Sequence, residues 1–156
     1  MRAVEDVNYA QKSTLVDHVL ESFGARDEAG SLAGKTLCVW GLAFKPQTDD
    51  MREAPSLTII ERLLALGAAV RAYDPEAMGE ARKSLGDRVV YASGPYEAAK
   101  GADALLLVTE WNEFRRPSWP RLREAMRGRS VFDGRNIYSP ARVKAEGFEY
   151  RGMGRR

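Results

Sequence analysis

Short apolar runs alternate with amphipathic stretches along most of this chain. Six runs rich in apolar and β-branched residues predict strands, at 37–40, 70–73, 89–91, 104–108, 130–132 and 148–150. The amphipathic stretches between them predict helices, at 55–66, 76–85, 96–100, 122–126 and 140–146. Strands that alternate with helices through short connections are typical of α/β proteins. We therefore predict a Rossmann-like, doubly wound parallel sheet of about six strands.

A further amphipathic stretch precedes the first predicted strand. Residues 3–23 predict one long helix, because apolar side chains recur at spacings of three and four: Val4, Val7, Leu15, Val16, Val19, Leu20 and Phe23. Gly24 is a plausible end of this helix, and residues 25–34 form a polar, glycine-containing linker. The apolar stripe predicts packing either on another domain or subunit, or on the chain's own domain.

The loop after the first predicted strand contains the first candidate binding residues. Gly41 ends the strand, Lys45 and Arg52 follow, and Pro55 opens a helix. In open α/β sheets, ligands bind at the carboxyl ends of strands. The fingerprint G-x-G-x-x-G is absent, because Leu42, Ala43 and Phe44 follow Gly41, so a bound phosphate would depend on the charge of Lys45. An ordinary solvated loop is the alternative.

A second loop of similar design follows the fifth predicted strand, at Asp133-Gly134-Arg135-Asn136. The common strand order 3-2-1-4-5-6 would place Lys45 and Arg135 at the same edge of the sheet. The compact ammonium group of a lysine and the planar guanidinium group of an arginine over one crevice suit an anionic, nucleotide-like ligand. The alternative is that Arg135 pairs with Asp133 or with another surface carboxylate. Asp74 lies where Rossmann domains hold a ribose, but the missing fingerprint leaves it without an assigned role.

Composition narrows the function classes. The 156 residues carry 24 basic and 22 acidic side chains, a net charge of +2 that gives no case for nucleic-acid binding. The single cysteine, Cys38, lies in an apolar strand, which favours a buried thiol over a nucleophile and a reducing compartment such as the cytoplasm. His18 has no neighbouring ligands that would indicate a metal site, and no apolar run predicts a membrane span.

Several motifs together resemble one known family. Residues 39–46 (VWGLAFKP) and 48–56 (TDDMREAPS) resemble the C-terminal domain of the UDP-glucose/GDP-mannose dehydrogenase family. Residues 67–75, the triplet Thr109-Glu110-Trp111 with Phe114, and residues 133–136 also agree with it. The N-terminal helix, with Val7-Asn8 and Gln11-Lys12, looks like the end of the helix that links the two halves of such enzymes. The resemblance covers essentially the whole chain, and residues 51–55 look most like UDP-glucose members.

The resemblance implies a function and specific residue roles. Family members oxidise the C6 hydroxyl of a nucleotide sugar to a carboxylate in two NAD-dependent steps, and they form homo-oligomers. Their N-terminal domain holds NAD, a cysteine near the domain junction is the nucleophile, and the C-terminal domain holds the nucleotide. By this likeness Phe44, Lys45 and Arg135 would contact the UDP-sugar, and Arg52 would reach NAD across the domain interface. No residue of this chain matches a catalytic position.

The chain differs from the full-length family members in that it lacks their NAD-binding and catalytic motifs. The 156 residues show no G-x-G-x-x-G segment, no glycine-rich segment around a nucleophilic cysteine, and no matching helical lysine and asparagine. We therefore expect residues 1–24 to be the end of the linking helix, residues 25–34 to be a linker, and residues 35–156 to be a UDP-sugar-binding domain. We expect this chain to be inactive alone and to work with an N-terminal half as its partner. The alternatives are a non-catalytic interaction module of the same fold, or the matching domain of a dehydrogenase for another nucleotide sugar.

Overall fold

A single six-stranded parallel sheet organises the chain. The computed structural model describes residues 2–52 and 54–154, with side chains described from residue 13 onward. The strands are β1 (Thr36–Trp40), β2 (Ala69–Tyr73), β3 (Val89–Tyr91), β4 (Ala104–Leu107), β5 (Ser130–Asp133) and β6 (Glu149–Gly152). Their order is β3-β2-β1-β4-β5-β6, with every neighbouring pair parallel. The predicted fold class and strand order are confirmed.

The helices connect successive strands in a doubly wound pattern. They are α1 (Arg2–Phe23), α2 (Pro55–Ala65), α3 (Met78–Leu85), α4 (Pro95–Ala99), α5 (Trp119–Ala125) and α6 (Pro140–Ala145). Helices α2, α4, α5 and α6 each carry proline in the first turn, where its missing N–H costs no hydrogen bond. No helix in the described part of the chain is long and apolar enough to cross a membrane.

Helix α5 begins earlier than the sequence pattern predicts. The expected start was Leu122, but the helix begins at Trp119 because the hydroxyl of Ser118 caps it by accepting a hydrogen bond from Arg121 N at 3.3 Å. Pro120 fits this first turn. A 3₁₀ turn at Asn112–Phe114 also lies in the segment predicted as loop. Local capping therefore shortens the β4–α5 connection.

The core lies on both faces of β1 and β4, the central strands. Leu105, Leu106 and Leu107 have no accessible surface, as expected for a parallel strand that is covered on both sides. Trp40 at the end of β1 stacks on Phe114 with ring centroids 5.0 Å apart. Its indole N–H donates to the Pro95 carbonyl at 2.9 Å. These contacts fix the carboxyl end of β1, from which the first candidate loop emerges.

The described side chains of α1 pack on the chain's own sheet and helices. Leu15, Val16, Val19 and Leu20 are buried, and α2 lies alongside. Arg62 of α2 donates to the Ser13 carbonyl at 3.2 Å. The other half of the predicted apolar stripe, with Val4 and Val7, lies outside the described side chains. The second half of α1 therefore belongs structurally to this domain.

Candidate functional site: the carboxyl rim of the sheet

Gly41 turns the chain at the end of β1, where no side chain could be accommodated. Its φ is +96°, and a Cβ there would lie 2.5 Å from the Cβ of Thr109. The following carbonyls are held from both sides: Ser56 Oγ donates to Leu42 O at 2.6 Å, and Thr109 Oγ1 donates to Ala43 O at 2.6 Å. The first part of the loop is thus fixed by β4 and α2.

Asp74, at the end of β2, holds the amides of the same loop. Its Oδ2 accepts hydrogen bonds from Leu42 N at 2.7 Å and Ala43 N at 3.0 Å, and from Trp111 Nε1 at 3.0 Å. Its Oδ1 accepts from Glu76 N and Ala77 N, both at 2.8 Å. The side chain is buried, and its five donors occupy both oxygens. Asp74 therefore has no free oxygen for a ribose hydroxyl, and the first βα turn does not fit a dinucleotide.

Sequence reasoning left Asp74 without a role. The pattern placed an acidic residue after β2 but could not show that the backbone amides of Leu42 and Ala43 turn toward it. The bulky residues after Gly41, which replace the glycine fingerprint, were the available signal. Trp111 was noted only through the family resemblance, and its indole completes the Asp74 site.

Phe44 and Lys45 follow the fixed part of the loop and reach solvent. Phe44 is 41% exposed, unusual for a large aromatic side chain. Its amide donates to Asp50 O at 2.8 Å, which closes the outer part of the loop. Lys45 is exposed and makes no hydrogen bond or ion pair with the described residues. A ring and a cation thus stand side by side on a loop whose base is rigid.

Arg135 lies on the loop after β5, as predicted. Gly134 allows the chain to pass close to β4, because a Cβ there would lie 2.8 Å from Leu107 O. Buried Asp133 fixes the turn by accepting from Arg135 N at 3.1 Å, Tyr138 N at 2.9 Å and the Tyr150 hydroxyl at 3.0 Å. The position of Arg135 is therefore set by its backbone, while its side chain extends from the rim.

The guanidinium of Arg135 forms an ion pair with Glu110. The sequence left open whether Arg135 pairs with Asp133 or with another carboxylate. Asp133 accepts from the backbone N–H of Arg135, and Glu110 is the carboxylate that pairs with the Arg135 side chain. The Arg135 side chain keeps 37% of its surface exposed. The Glu110 side chain is only 17% exposed, so displacing it would leave a largely buried carboxylate unpaired. Nε of Arg135 donates to Glu110, whereas its two Nη groups donate to no described residue and can bind a phosphate while the ion pair stays in place. The sequence alone does not identify Glu110 as the partner.

Lys45 and Arg135 start from the same rim of the sheet. Their strands, β1 and β5, both lie parallel to β4 and on either side of it. Two strand spacings separate β1 from β5 by about 10 Å. Both side chains are long and flexible, so their charged groups can converge over one ligand.

Arg52 lies further along the first loop, on the surface. Its side chain is 90% exposed and pairs with Asp50, with 3.1 Å between Nη2 and Oδ2. Hydrogen bonding from Arg52 lowers the pKa of the Asp50 carboxyl. The predicted contact of Arg52 with NAD stays a prediction.

Cys38 does not belong to this rim. It lies within β1 and has no accessible surface, and burial raises the pKa of its thiol far above the ordinary value. The prediction that Cys38 is a buried thiol is confirmed, and burial of this kind disfavours the reactive thiolate. Among the described residues, no group of three or more histidine, cysteine or acidic side chains could hold a metal ion.

Comparison with known proteins connects this geometry to a family. Residues 38–140 match the UDP-glucose/GDP-mannose dehydrogenase family, UDP binding domain. The chain is 46% identical to UDP-glucose 6-dehydrogenase of Pseudomonas aeruginosa, over 99% of this chain and 34% of that protein. It is 40% identical to UDP-glucose 6-dehydrogenase YwqF of Bacillus subtilis, over 100% of this chain and 34% of that protein.

A solved structure agrees with these sequence matches. The UDP-glucose dehydrogenase of the archaeon Pyrobaculum islandicum superimposes with a TM-score of 0.78 and 33% identity, over 97% of this chain and 31% of that one. The chain thus spans about a third of the length of the curated relatives it matches. Since the family match covers most of the chain, it belongs to the UDP-glucose/GDP-mannose dehydrogenase family, in the part that constitutes the UDP binding domain.

Proposed function

We propose that this chain holds the nucleotide end of UDP-glucose for an NAD-dependent dehydrogenase that forms UDP-glucuronate. One observation carries the proposal: Lys45, free of ion pairs within the described residues, and Arg135 extend from one rim, above a crevice that Asp74 already closes. A ligand at this rim would meet two cations of different shape and the exposed ring of Phe44. This combination suits a base or sugar that is attached to a diphosphate.

Each of the three side chains has a distinct proposed role. Lys45 is a compact point charge for the diphosphate, and Arg135 offers its two Nη groups to phosphate oxygens while its Nε stays on Glu110. Phe44 packs against an apolar face of the ligand. Binding energy at the nucleotide end then positions the distant sugar for reaction, a use of remote contacts that is general among enzymes. No catalytic role falls to these residues.

The redox chemistry belongs, in this proposal, to a second half of the enzyme. The crevice at the first βα turn does not fit a dinucleotide, because Asp74 holds the amides that a pyrophosphate would need. NAD would be bound mainly by an N-terminal domain, with Arg52 reaching it across the interface. Residues 1–24 would end the linking helix, 25–34 would connect it, and 35–156 would form the substrate domain of a cytoplasmic homo-oligomer.

Titration of the isotope-labelled chain with UDP, followed by NMR, tests the proposal. We expect weak binding, since one wall of the pocket is present, with shifts at the amides of residues 43–46 and 134–136. Lys45→Ala and Arg135→Ala should each weaken UDP binding by about tenfold, the equivalent of about 1.4 kcal/mol.

Lys100→Ala is the matched control, because this exposed lysine precedes β4 and so lies toward the opposite edge of the sheet. It should leave UDP affinity unchanged. Equal affinity in the Lys45, Arg135 and Lys100 variants would contradict the proposed role of the rim.

A further inference from the structure

A cavity separate from the rim lies between the β4–α5 and β5–α6 connections. Its volume is about 340 Å³, within the range of small-molecule pockets. Arg115, Arg116 and Trp119 line one side, and Tyr138, Arg142 and Val143 line the other. Neither Lys45 nor Arg135 lines it, so it is distinct from the rim proposed above to hold UDP.

Positive charge dominates this cavity. Arg115 and Arg116 are exposed, and their guanidinium groups make no hydrogen bond or ion pair within the part of the chain that the structure describes. Arg142 pairs with Glu146 at 3.1 Å, but the same carboxylate also receives Arg123 at 3.1 Å. One negative charge is thus shared between two guanidinium groups, and a net positive charge remains.

The inner surface of the cavity is apolar and aromatic. Trp119, Tyr138 and Val143 are buried, and the rings of Trp119 and Tyr138 lie 5.4 Å apart. Trp40 donates its indole N–H to Pro95 O, and Trp111 donates to Asp74. Trp119 is only 5% exposed; its indole N–H makes no hydrogen bond with the described residues, but it is not sealed from solvent. The N–H is therefore a donor that solvent or a ligand can reach.

The cavity is held open by internal hydrogen bonds. The Tyr138 hydroxyl donates to Phe114 O at 2.6 Å, and Tyr138 N donates to Asp133 at 2.9 Å. Ser118 and Ser139 cap α5 and α6 on its two sides. Because these contacts lie within the chain itself and fix both sides of the cavity, binding would order little of the chain.

We propose that this cavity binds a small organic phosphate, with an apolar ring against the partly exposed Ile137 and the edge of Trp119, and the phosphate between Arg115 and Arg116. Guanidinium forks match phosphate oxygens in two-point hydrogen bonds, and they also stack on planar rings. The apolar inner surface favours a phosphate ester over inorganic phosphate. Asp133 joins the two sites, because it fixes the backbone of both Arg135 and Tyr138.

Titration with adenosine 5′-monophosphate, followed by tryptophan fluorescence and calorimetry, tests this site. We expect saturable binding that is tighter than binding of inorganic phosphate. The double variant Arg115→Ala/Arg116→Ala should weaken it by about tenfold or more, since charge-assisted hydrogen bonds are lost. Both positions are exposed, so thermal unfolding of the variant should match that of the parent chain.

The pair Lys45→Ala and Arg135→Ala separates this site from the proposed UDP site. These variants should retain binding of adenosine 5′-monophosphate while their UDP binding weakens by about tenfold. Binding that is insensitive to Arg115→Ala/Arg116→Ala, or that is lost in the Lys45 and Arg135 variants instead, would overturn the second site. Absence of adenosine 5′-monophosphate binding to the parent chain would overturn the second site as well. None of these three results would contradict the UDP proposal.

Discussion

At the scale of single residues, Asp74 explains why a Rossmann-like sheet can lack a dinucleotide site. In dinucleotide-binding domains, the first βα turn presents free amides to a pyrophosphate, and an acid after β2 meets the ribose. Here the acid and the amides bind each other, through Leu42 N at 2.7 Å and Ala43 N at 3.0 Å. The bond stabilises the base of the loop that carries Phe44 and Lys45. Asp74 is thus a positioning residue for the rim.

Replacing Asp74 by alanine should loosen this loop. A methyl group accepts no hydrogen bond, so all five N–H donors would lose their acceptor. We expect a loss of about 2–4 kcal/mol in the free energy of unfolding. Hydrogen exchange should quicken at the amides of Leu42 and Ala43, and UDP affinity should fall.

Asp103→Ala is the control for a general loss of stability. Asp103 is also largely buried and also binds a strand amide, Thr36 N at 2.8 Å, but at the amino edge of the sheet. It should lower stability without quickening exchange at Leu42 and Ala43. Slow exchange at the amides of Leu42 and Ala43 in Asp74→Ala would contradict the positioning role.

At the scale of elements, the sequence predicted the strands and helices, which depend on the periodicity of apolar residues. It did not predict the helix cap and the ion pair, which depend on contacts between individual side chains. The apolar runs predict all six strands, and the observed strand order is the common one that was assumed for a doubly wound sheet. The start of α5 and the pairing of Arg135 with Glu110 do not follow from these runs, because a cap or an ion pair depends on which side chains meet in space. Phe44, Lys45 and Arg135 lie on the expected loops, since loops at strand ends follow from the strand order.

The amino ends of β1 and β4 are joined by a charged contact with a predictable pH dependence. The Asp103 carboxylate accepts a hydrogen bond from Thr36 N. It also accepts hydrogen bonds from Arg127 Nε at 2.9 Å and from Arg127 Nη2 at 2.7 Å. The hydrogen bond from Arg127 lowers the pKa of Asp103 below its usual 3.8. Because the folded-state pKa is depressed, the stabilisation is present above the unfolded-state value and is lost as the pH falls through the lower folded-state value.

Urea denaturation across the acid range would measure this contribution. We expect the free energy of unfolding of the parent chain to decrease with falling pH below about 4, with part of the slope due to Asp103. Arg127→Ala removes the main cause of the shift, so that part of the slope should disappear. Arg129→Ala, which changes a neighbouring arginine that donates to backbone carbonyls, should leave the slope unchanged. Identical slopes in the parent and Arg127→Ala would refute the assignment.

At the scale of the whole molecule, the described residues combine an exposed rim that carries two cations with a buried thiol and an occupied βα turn. The rim presents Lys45 and Arg135, whereas the thiol of Cys38 is sealed inside β1, with a pKa that burial raises. The turn after β1 has its amides occupied by Asp74. The chain spans about a third of its curated relatives, so a dehydrogenase of their length has ample further sequence for redox chemistry.

The purified chain should therefore produce no NADH from UDP-glucose and NAD. The full-length Pseudomonas aeruginosa relative, assayed by NADH absorbance under the same conditions, serves as the positive control. A chimera that carries residues 35–156 of this chain in place of the matching part of that enzyme should be active, because 46% identity indicates a closely similar interface and rim. Lys45→Ala in the chimera should raise KM for UDP-glucose by about tenfold and leave KM for NAD unchanged, since it removes a contact to the nucleotide end alone. NADH production by the isolated chain, or an unchanged KM for UDP-glucose in an active Lys45→Ala chimera, would show that the division of labour between rim and redox half is wrong.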